Sequence, residues 1–174
     1  MPRLNRFQIM ELYKSDIISA LKEQGEILGN VDINSTFFLN IDEWKLPKST
    51  TIHDFFEFLI DRKKILKPIE LASAKETITK YHFSDVEVNP LDLALSLYPK
   101  VYLSHYSAVS LHDLTNEIVK SIYVNQEQSN KTSYKHPKLY QENIDAAFSK
   151  PMRETNRYFD YKQQRIYVLN GRYT

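Results

Sequence analysis

The stretch that decides the fold is residues 51–83, TIHDFFEFLIDRKKILKPIELASAKETITKYHF. In residues 51–64, apolar side chains recur three and four residues apart with charged side chains between them, which is typical of an amphipathic helix. Two later runs, 65–71 and 78–83, are rich in β-branched and aromatic residues and are separated by small and polar ones. They predict a β-hairpin whose first strand is confined to a sheet edge by Pro68.

The residues before this stretch predict further helices. Residues 4–24 repeat apolar side chains at helical spacing and predict one or two helices, with Gly25 as a natural stop. Residues 30–43 are ambiguous between helix and strand, and we favour a helix. Pro47 then forces a break, after which Ser and Thr residues supply candidate helix caps. Helix, helix, turn, helix and hairpin is the order of elements in a winged helix-turn-helix domain, so residues 1–88 are predicted to form one.

The remainder of the chain predicts a small mixed α/β domain over residues 89–174. Its elements are a helix from Pro90, a strand over 100–103, a helix from Ser104 or His105, a strand over 121–124, a polar loop over 125–138, a short helix over 139–148, and strands over 155–159 and 165–169. The helix after Ser104 is expected to bury Ala108, Leu111 and Leu114. The whole chain is therefore predicted to belong to the α+β class.

Composition excludes several classes of protein. Hydrophobic residues make up 42% of the 174 residues and charged residues 26%, which describes a folded chain. Cysteine is absent and only three glycines occur, so disulfides, thiolate metal sites and Gly-rich phosphate loops are excluded. The sequence shows neither an apolar run of the roughly 18 residues that span a bilayer nor the apolar core of a signal peptide. We therefore expect a cytoplasmic location.

Charge is unevenly distributed along the chain. Residues 1–90 carry 12 Lys and Arg against 14 Asp and Glu, whereas residues 131–174 carry nine against four. Tyrosines are interspersed with the basic residues of this last quarter, at 134, 140, 158, 161, 167 and 173. Such interleaving suits base stacking and phosphate neutralisation, but the tyrosines equally suit an ordinary sheet.

The winged-helix interpretation predicts a DNA interface, because the helix that precedes the hairpin enters the major groove in this fold. The predicted contacts are Lys48, Ser49, Thr50, Thr51 and His53 at the leading end of the helix, Arg62, Lys63 and Lys64 at its last turn, and Arg153, Arg157, Lys162 and Arg165 in the basic quarter. The hairpin from Ile65 would also help to hold the phosphate backbone. Asp54, Glu57 and Asp61 count against DNA binding by this helix, because acidic side chains repel phosphate. The alternative is therefore a protein-interaction scaffold.

An enzymatic interpretation is weaker. His105 and His112 share a helix face, but no third metal ligand lies at a known offset. Asp85 and Glu87 have the spacing that places two carboxylates on one face of a strand, as a metal-dependent nuclease would need. Solvated surface charge explains them better. No catalytic residue, metal or cofactor is therefore expected.

Several segments resemble a known family. They are YLSHYSA at 102–108, LHDLT at 111–115, KSIYV at 120–124, AAFSKPMR at 146–153 and IYVLNG at 166–171. This pattern is similar to the shared core of AbiEi-type proteins, the antitoxins of type IV abortive-infection toxin–antitoxin systems. One departure is Asp113, where the family pattern leads us to expect glycine.

The resemblance implies a bacterial DNA-binding protein of phage defence that represses its own operon. It also implies that the protein counteracts a nucleotidyltransferase toxin without the need to bind it stably. Members of the family usually continue further, and the resemblance leaves open whether the native chain extends past Thr174.

Overall fold

The computed structural model describes residues 4–116, 120–127, 140–149 and 155–171. Within these ranges the chain combines helices with a three-stranded and a four-stranded β-sheet. The predicted α+β class is confirmed. None of the helices in the described ranges has the length and apolar character that crossing a lipid bilayer requires.

The first unit joins four helices to the three-stranded sheet. Its elements are α1 (Arg6–Leu12), α2 (Lys14–Gln24), β1 (Ile27–Leu28), α3 (Asn30–Asn40), α4 (Ile52–Phe56), β2 (Leu66–Ala72) and β3 (Thr77–Phe83). The sheet order is β1-β3-β2, and both pairings are antiparallel. The predicted hairpin is confirmed, with Pro68 on the edge strand β2. Strand β1 was not predicted, because two residues are too few to show a period.

The helix predicted over residues 51–64 forms in two parts. Thr51 is the N-cap of α4, and its side chain and that of Asp54 cap each other's backbone N–H groups. The same helix continues as a π-helix over Glu57–Arg62, a rare geometry that is frequent at functional sites. It ends at Lys63, and Lys64 follows with a left-handed φ of 51°.

The second unit contains the four-stranded sheet. Its elements are α5 (Pro90–Ser96), β4 (Val101–Leu103), α6 (His105–Leu111), β5 (Ser121–Gln126), α7 (Gln141–Phe148), β6 (Tyr158–Tyr161) and β7 (Gln164–Leu169). The sheet order is β4-β5-β7-β6, with β5 and β7 parallel. Strand β6 begins later than the predicted residue 155, because the Thr155 hydroxyl accepts the Arg157 N–H in a local turn. Ile166 and Val168 are buried in alternation with their neighbours.

Two hydrophobic cores stabilise the chain, and the hairpin contributes to both. The first core gathers α1 to α4 around Phe55 and Phe58 and reaches the hairpin at Leu66 and Phe83. The second core lies between α5 and the four-stranded sheet, and it includes Leu71 from β2. The two units are therefore packed together through the hairpin.

The prediction of a buried apolar face on α6 is wrong. Leu111 is 58% exposed and Leu114 is 74% exposed, because the helix ends at Leu111. Ala108 is only partly buried. The face that meets the sheet carries Ser107, whose hydroxyl accepts the backbone N–H of Tyr123 at 2.8 Å. A short polar contact thus replaces the expected apolar one.

Replacing Leu71 with alanine should destabilise the protein, because this hairpin side chain is fully buried in the second core. We expect the free energy of unfolding to fall by about 2–5 kcal/mol in urea titrations. Leu39→Ala is the matched control, since Leu39 is 79% exposed and surface changes stay within about 0.5 kcal/mol. Equal effects of the two substitutions would contradict the shared use of the hairpin.

Candidate nucleic-acid interface

The leading end of α4 presents four exposed polar side chains, Lys48, Ser49, Thr51 and His53, which we call the helix-start patch. The loop before the helix holds this patch in place through the Thr51 cap, in which Thr51 N–H donates to Asp54 at 2.7 Å. Thr50, predicted to contact DNA as well, is only 6% exposed. Thr50 is therefore removed from the predicted DNA contacts, because its side chain is buried in the protein.

Asp54 is held by hydrogen bonds within the same helix cap. Its carboxylate receives hydrogen bonds from the Thr51 backbone and hydroxyl, and Arg6 pairs with it at 2.5 Å. The Thr51 backbone hydrogen bond lowers the pKa of Asp54 most, and together with the Thr51 hydroxyl and Arg6 it outweighs the opposing effect of burial, so the pKa falls from 3.8 to about 2. Arg6 also donates to the Ser49 carbonyl at 3.2 Å. The acidic charge at the leading end is therefore matched by an arginine.

The basic residues at the other end of the helix differ in their partners. Arg62 binds Glu57 at 2.8 Å and stacks on the Phe7 ring, with its guanidinium carbon 3.8 Å from the ring centre. Lys63 pairs with Glu11 at 2.6 Å. Lys64 is exposed and has no acidic partner among the described residues. Of the three predicted contacts, Lys64 alone is thus not already committed to an intramolecular ion pair in this part of the chain.

The tip of the hairpin is engaged by the second unit. Glu76 accepts a hydrogen bond from the Tyr98 hydroxyl at 2.7 Å and pairs with Arg157 at 3.2 Å. Arg157 also stacks on the Tyr98 ring and donates to Gln126. The hydrogen bond from Tyr98, with further help from Arg157, lowers the pKa of Glu76. Arg157, predicted to hold phosphate, is therefore part of the contact between the units.

A second basic surface lies on the four-stranded sheet. Lys120, Lys162, Arg165 and Tyr167 border a cleft of about 350 Å³ together with Asp160, and we call the three basic side chains the sheet-edge patch. Arg165 binds Asp160 at 2.8 Å, while Lys162 lies 3.7 Å from an almost fully exposed Glu87.

Lys120 was not among the predicted contacts. It joins the sheet-edge patch because β5 and β7 pair in parallel, with Ser121 opposite Arg165. The strand prediction at 121–124 placed Lys120 just before β5, but a sequence does not show which strand is its neighbour. Arg153, the remaining predicted contact, lies outside the described residues, as do Tyr134 and Tyr173.

The described residues contain no group of three or more His, Asp or Glu side chains that could hold a metal ion. His105 is exposed, and its Nδ1 lies 3.2 Å from the Ser104 hydroxyl. His112 is exposed as well. At these surfaces the described residues instead place Lys and Arg side chains beside aromatic rings and hydroxyl groups.

Comparison of the chain with protein-family models, with curated proteins and with solved structures finds no match.

The low pKa of Asp54 predicts a measurable pH dependence of stability. A carboxylate that holds its proton less tightly when folded stabilises the protein above the unfolded-state pKa and loses this effect as the pH falls. Asp54 should therefore stabilise the fold above about pH 5 and cease to do so between pH 4 and pH 2. Asp54→Asn should flatten this part of the profile in urea titrations. Asp61→Asn, an exposed carboxylate on the same helix, should leave the profile as in the wild type.

Proposed function

We propose that the protein is a DNA-binding transcriptional autorepressor that acts as the antitoxin to a nucleotidyltransferase toxin. The observation that carries the DNA-binding part is the arrangement of the first unit. Of the four helices that precede the hairpin, the last three are α2, α3 and α4, and the short β1 pairs with β3 to give the sheet order β1-β3-β2. This is the arrangement expected of a winged helix, in which α4 and its π-helical continuation would be the recognition helix.

The helix-start patch is the part of this unit that would read bases. Lys48 and His53 offer N–H donors to acceptor atoms on base edges, and the Ser49 and Thr51 hydroxyls can contact either bases or phosphates. The pairing of Asp54 with Arg6 supports this role, because it offsets the negative charge nearest to the patch. The sheet-edge patch would neutralise phosphates further along the duplex. Occupation of the promoter would then repress the operon.

The antitoxin part of the proposal rests on the family resemblance. Three of the resembling segments, at 102–108, 120–124 and 166–171, fall on or beside β4, β5 and β7, which are consecutive strands of one sheet. Gly171 at the end of the last segment donates its N–H to Asn125 at 2.6 Å. The resemblance therefore concerns one contiguous part of the second unit. It implies action against a nucleotidyltransferase in a cytoplasmic, bacterial phage-defence system.

One observation favours the alternative of a protein-interaction scaffold. Helix α3 leaves Val31, Phe38 and Leu39 exposed, and Asp32 is the only charged residue within it. Their spacing of seven and eight residues places them on one face of the helix. Apolar side chains with few charges are typical of the centre of a protein interface.

A salt titration of binding to the protein's own promoter separates the two functions. The autorepressor should bind promoter DNA more tightly than a scrambled duplex, with an affinity that falls steeply as salt rises. A scaffold should bind neither duplex at low salt. Fluorescence anisotropy with labelled duplexes measures both quantities.

Substitutions in the two patches should have different effects. Lys48→Ala or His53→Ala should reduce discrimination against mismatched promoters by about 1–3 kcal/mol, because base contacts carry the specificity. Lys162→Ala with Arg165→Ala should weaken binding to all sequences alike and lower the salt slope by about 1 for each phosphate that is no longer neutralised. Lys100→Ala, an exposed lysine that belongs to neither patch, is the control. If both sets match the control, neither patch touches DNA.

A further inference from the structure

A cleft that the sequence did not indicate lies behind the recognition helix. It has a volume of about 210 Å³ and is enclosed by α2, the end of the π-helix and the residues that follow β3. Four lysines line it, Lys14 and Lys22 from α2 and Lys63 and Lys64 from the helix end, and Ser84 faces it from the far side. We call this the four-lysine cleft.

The fold brings these lysines together in two ways. Lys14 and Lys22 are eight residues apart on α2, so they share one face of the helix. The backbone at Lys64 is fixed by the residue after β3, because the Ser84 hydroxyl donates to the Lys64 carbonyl at 2.5 Å. Ser84 also donates its backbone N–H to the Ile65 carbonyl at 2.9 Å. The chain after the helix end is thus held to the residue that follows β3, with Lys63 and Lys64 among the residues that line the cleft.

The charges in the cleft are not balanced. Lys63 pairs with Glu11 at 2.6 Å, and Lys22 lies 3.9 Å from Asp85, which also lines the cleft. Lys14 and Lys64 have no acidic partner among the described residues. Four lysines thus line the cleft together with one carboxylate, Asp85, since the Glu11 that pairs with Lys63 is not part of the lining. The surplus of positive charge in a concave site favours the binding of an anion.

The backbone conformation at Lys64 also indicates a functional role for this residue. Lys64 follows the helix with a φ of 51°, a position that glycine or asparagine usually fills because a larger side chain is strained there. Lys100 has a similar φ of 58° in the second unit and does not line the cleft. Strain alone therefore does not define the site, but Lys100 provides a matched control for Lys64.

We propose that the four-lysine cleft binds a phosphate group of a nucleic-acid backbone. Lysine is a point-charge phosphate ligand that can turn its three N–H donors towards different oxygens. The cleft would add a contact behind the recognition helix to those of the helix-start and sheet-edge patches. The nucleic-acid source of the phosphate rests on the proposed function, whereas the anion chemistry rests on the cleft alone.

The test compares a cleft variant, Lys14→Gln, with a control that removes the same charge elsewhere, Lys100→Gln. Binding is measured by fluorescence anisotropy against the promoter duplex and a scrambled duplex over a series of salt concentrations. The cleft variant should bind both duplexes about tenfold more weakly and lower the salt slope by about 1, while the control should change neither beyond a small long-range effect. Equal behaviour of the two variants on both duplexes overturns the proposal.

A second arm identifies the source of the phosphate. Inorganic phosphate is titrated into the wild-type protein while the amide shifts of Lys64 and Ser84 are followed by NMR. Saturable shifts at these residues, together with an unchanged duplex affinity of the cleft variant, would assign the cleft to free phosphate and overturn the nucleic-acid source. Failure of the wild type to prefer its promoter over the scrambled duplex would overturn the proposed repressor. The affinities of the cleft variant and the control for the scrambled duplex would still test the cleft.

Replacing Lys64 with glycine separates binding from stability. Lys64→Gly relieves the positive φ and should raise the melting temperature, as should Lys100→Gly. Only Lys64→Gly should also weaken duplex binding. A purely structural role for Lys64 predicts that both glycine variants bind DNA as the wild type does.

Discussion

The β2–β3 hairpin is shared by two hydrophobic cores, and the positions of the other surfaces depend on this sharing. At its base Leu66 and Phe83 pack against the helices of the first unit, and further along Leu71 packs under the four-stranded sheet. At its tip Glu76 is held by Tyr98 and Arg157. A hairpin used in this way cannot move independently of the second unit.

Electrostatic pairing makes an acidic helix compatible with the proposed DNA-binding surface. Asp54 is paired with Arg6 and Glu57 with Arg62, so two of the three carboxylates that counted against DNA binding are matched by guanidinium groups. Surface pairs of this kind add little stability, about 0–1 kcal/mol each. Their larger effect is on the local field, because they leave Lys48 as the unmatched charge at the leading end. A small net charge can therefore coexist with localised basic patches.

The sequence predicted the features that local periodicity determines. It did not predict those that depend on contacts between residues far apart in the chain. The helices, the hairpin and the edge position of Pro68 followed from spacing and backbone chemistry. Thr50 and Thr51 are indistinguishable by type, yet one is buried and the other caps the helix, because this difference depends on how the preceding loop packs. Arg157 meets Glu76 across 81 residues, and no local pattern shows such a pairing. Lys14 and Lys22 were overlooked because the apolar stripe of α2 explains its helix without them.

The scarcity of glycine links the backbone to the basic surfaces. With three glycines in the chain, left-handed positions must be filled by other residues, and four of the six such residues in the described ranges are lysines. Three of them lie in or close to a basic surface: Lys45 just before the helix-start patch, Lys64 in the four-lysine cleft and Lys162 in the sheet-edge patch. A left-handed residue usually sits where the chain turns, so its side chain projects into solvent. Lysine at these turns costs some backbone strain, but it places an ammonium group where a phosphate can reach it. The placement of lysine at left-handed positions thus accounts for both a strained backbone and a basic surface.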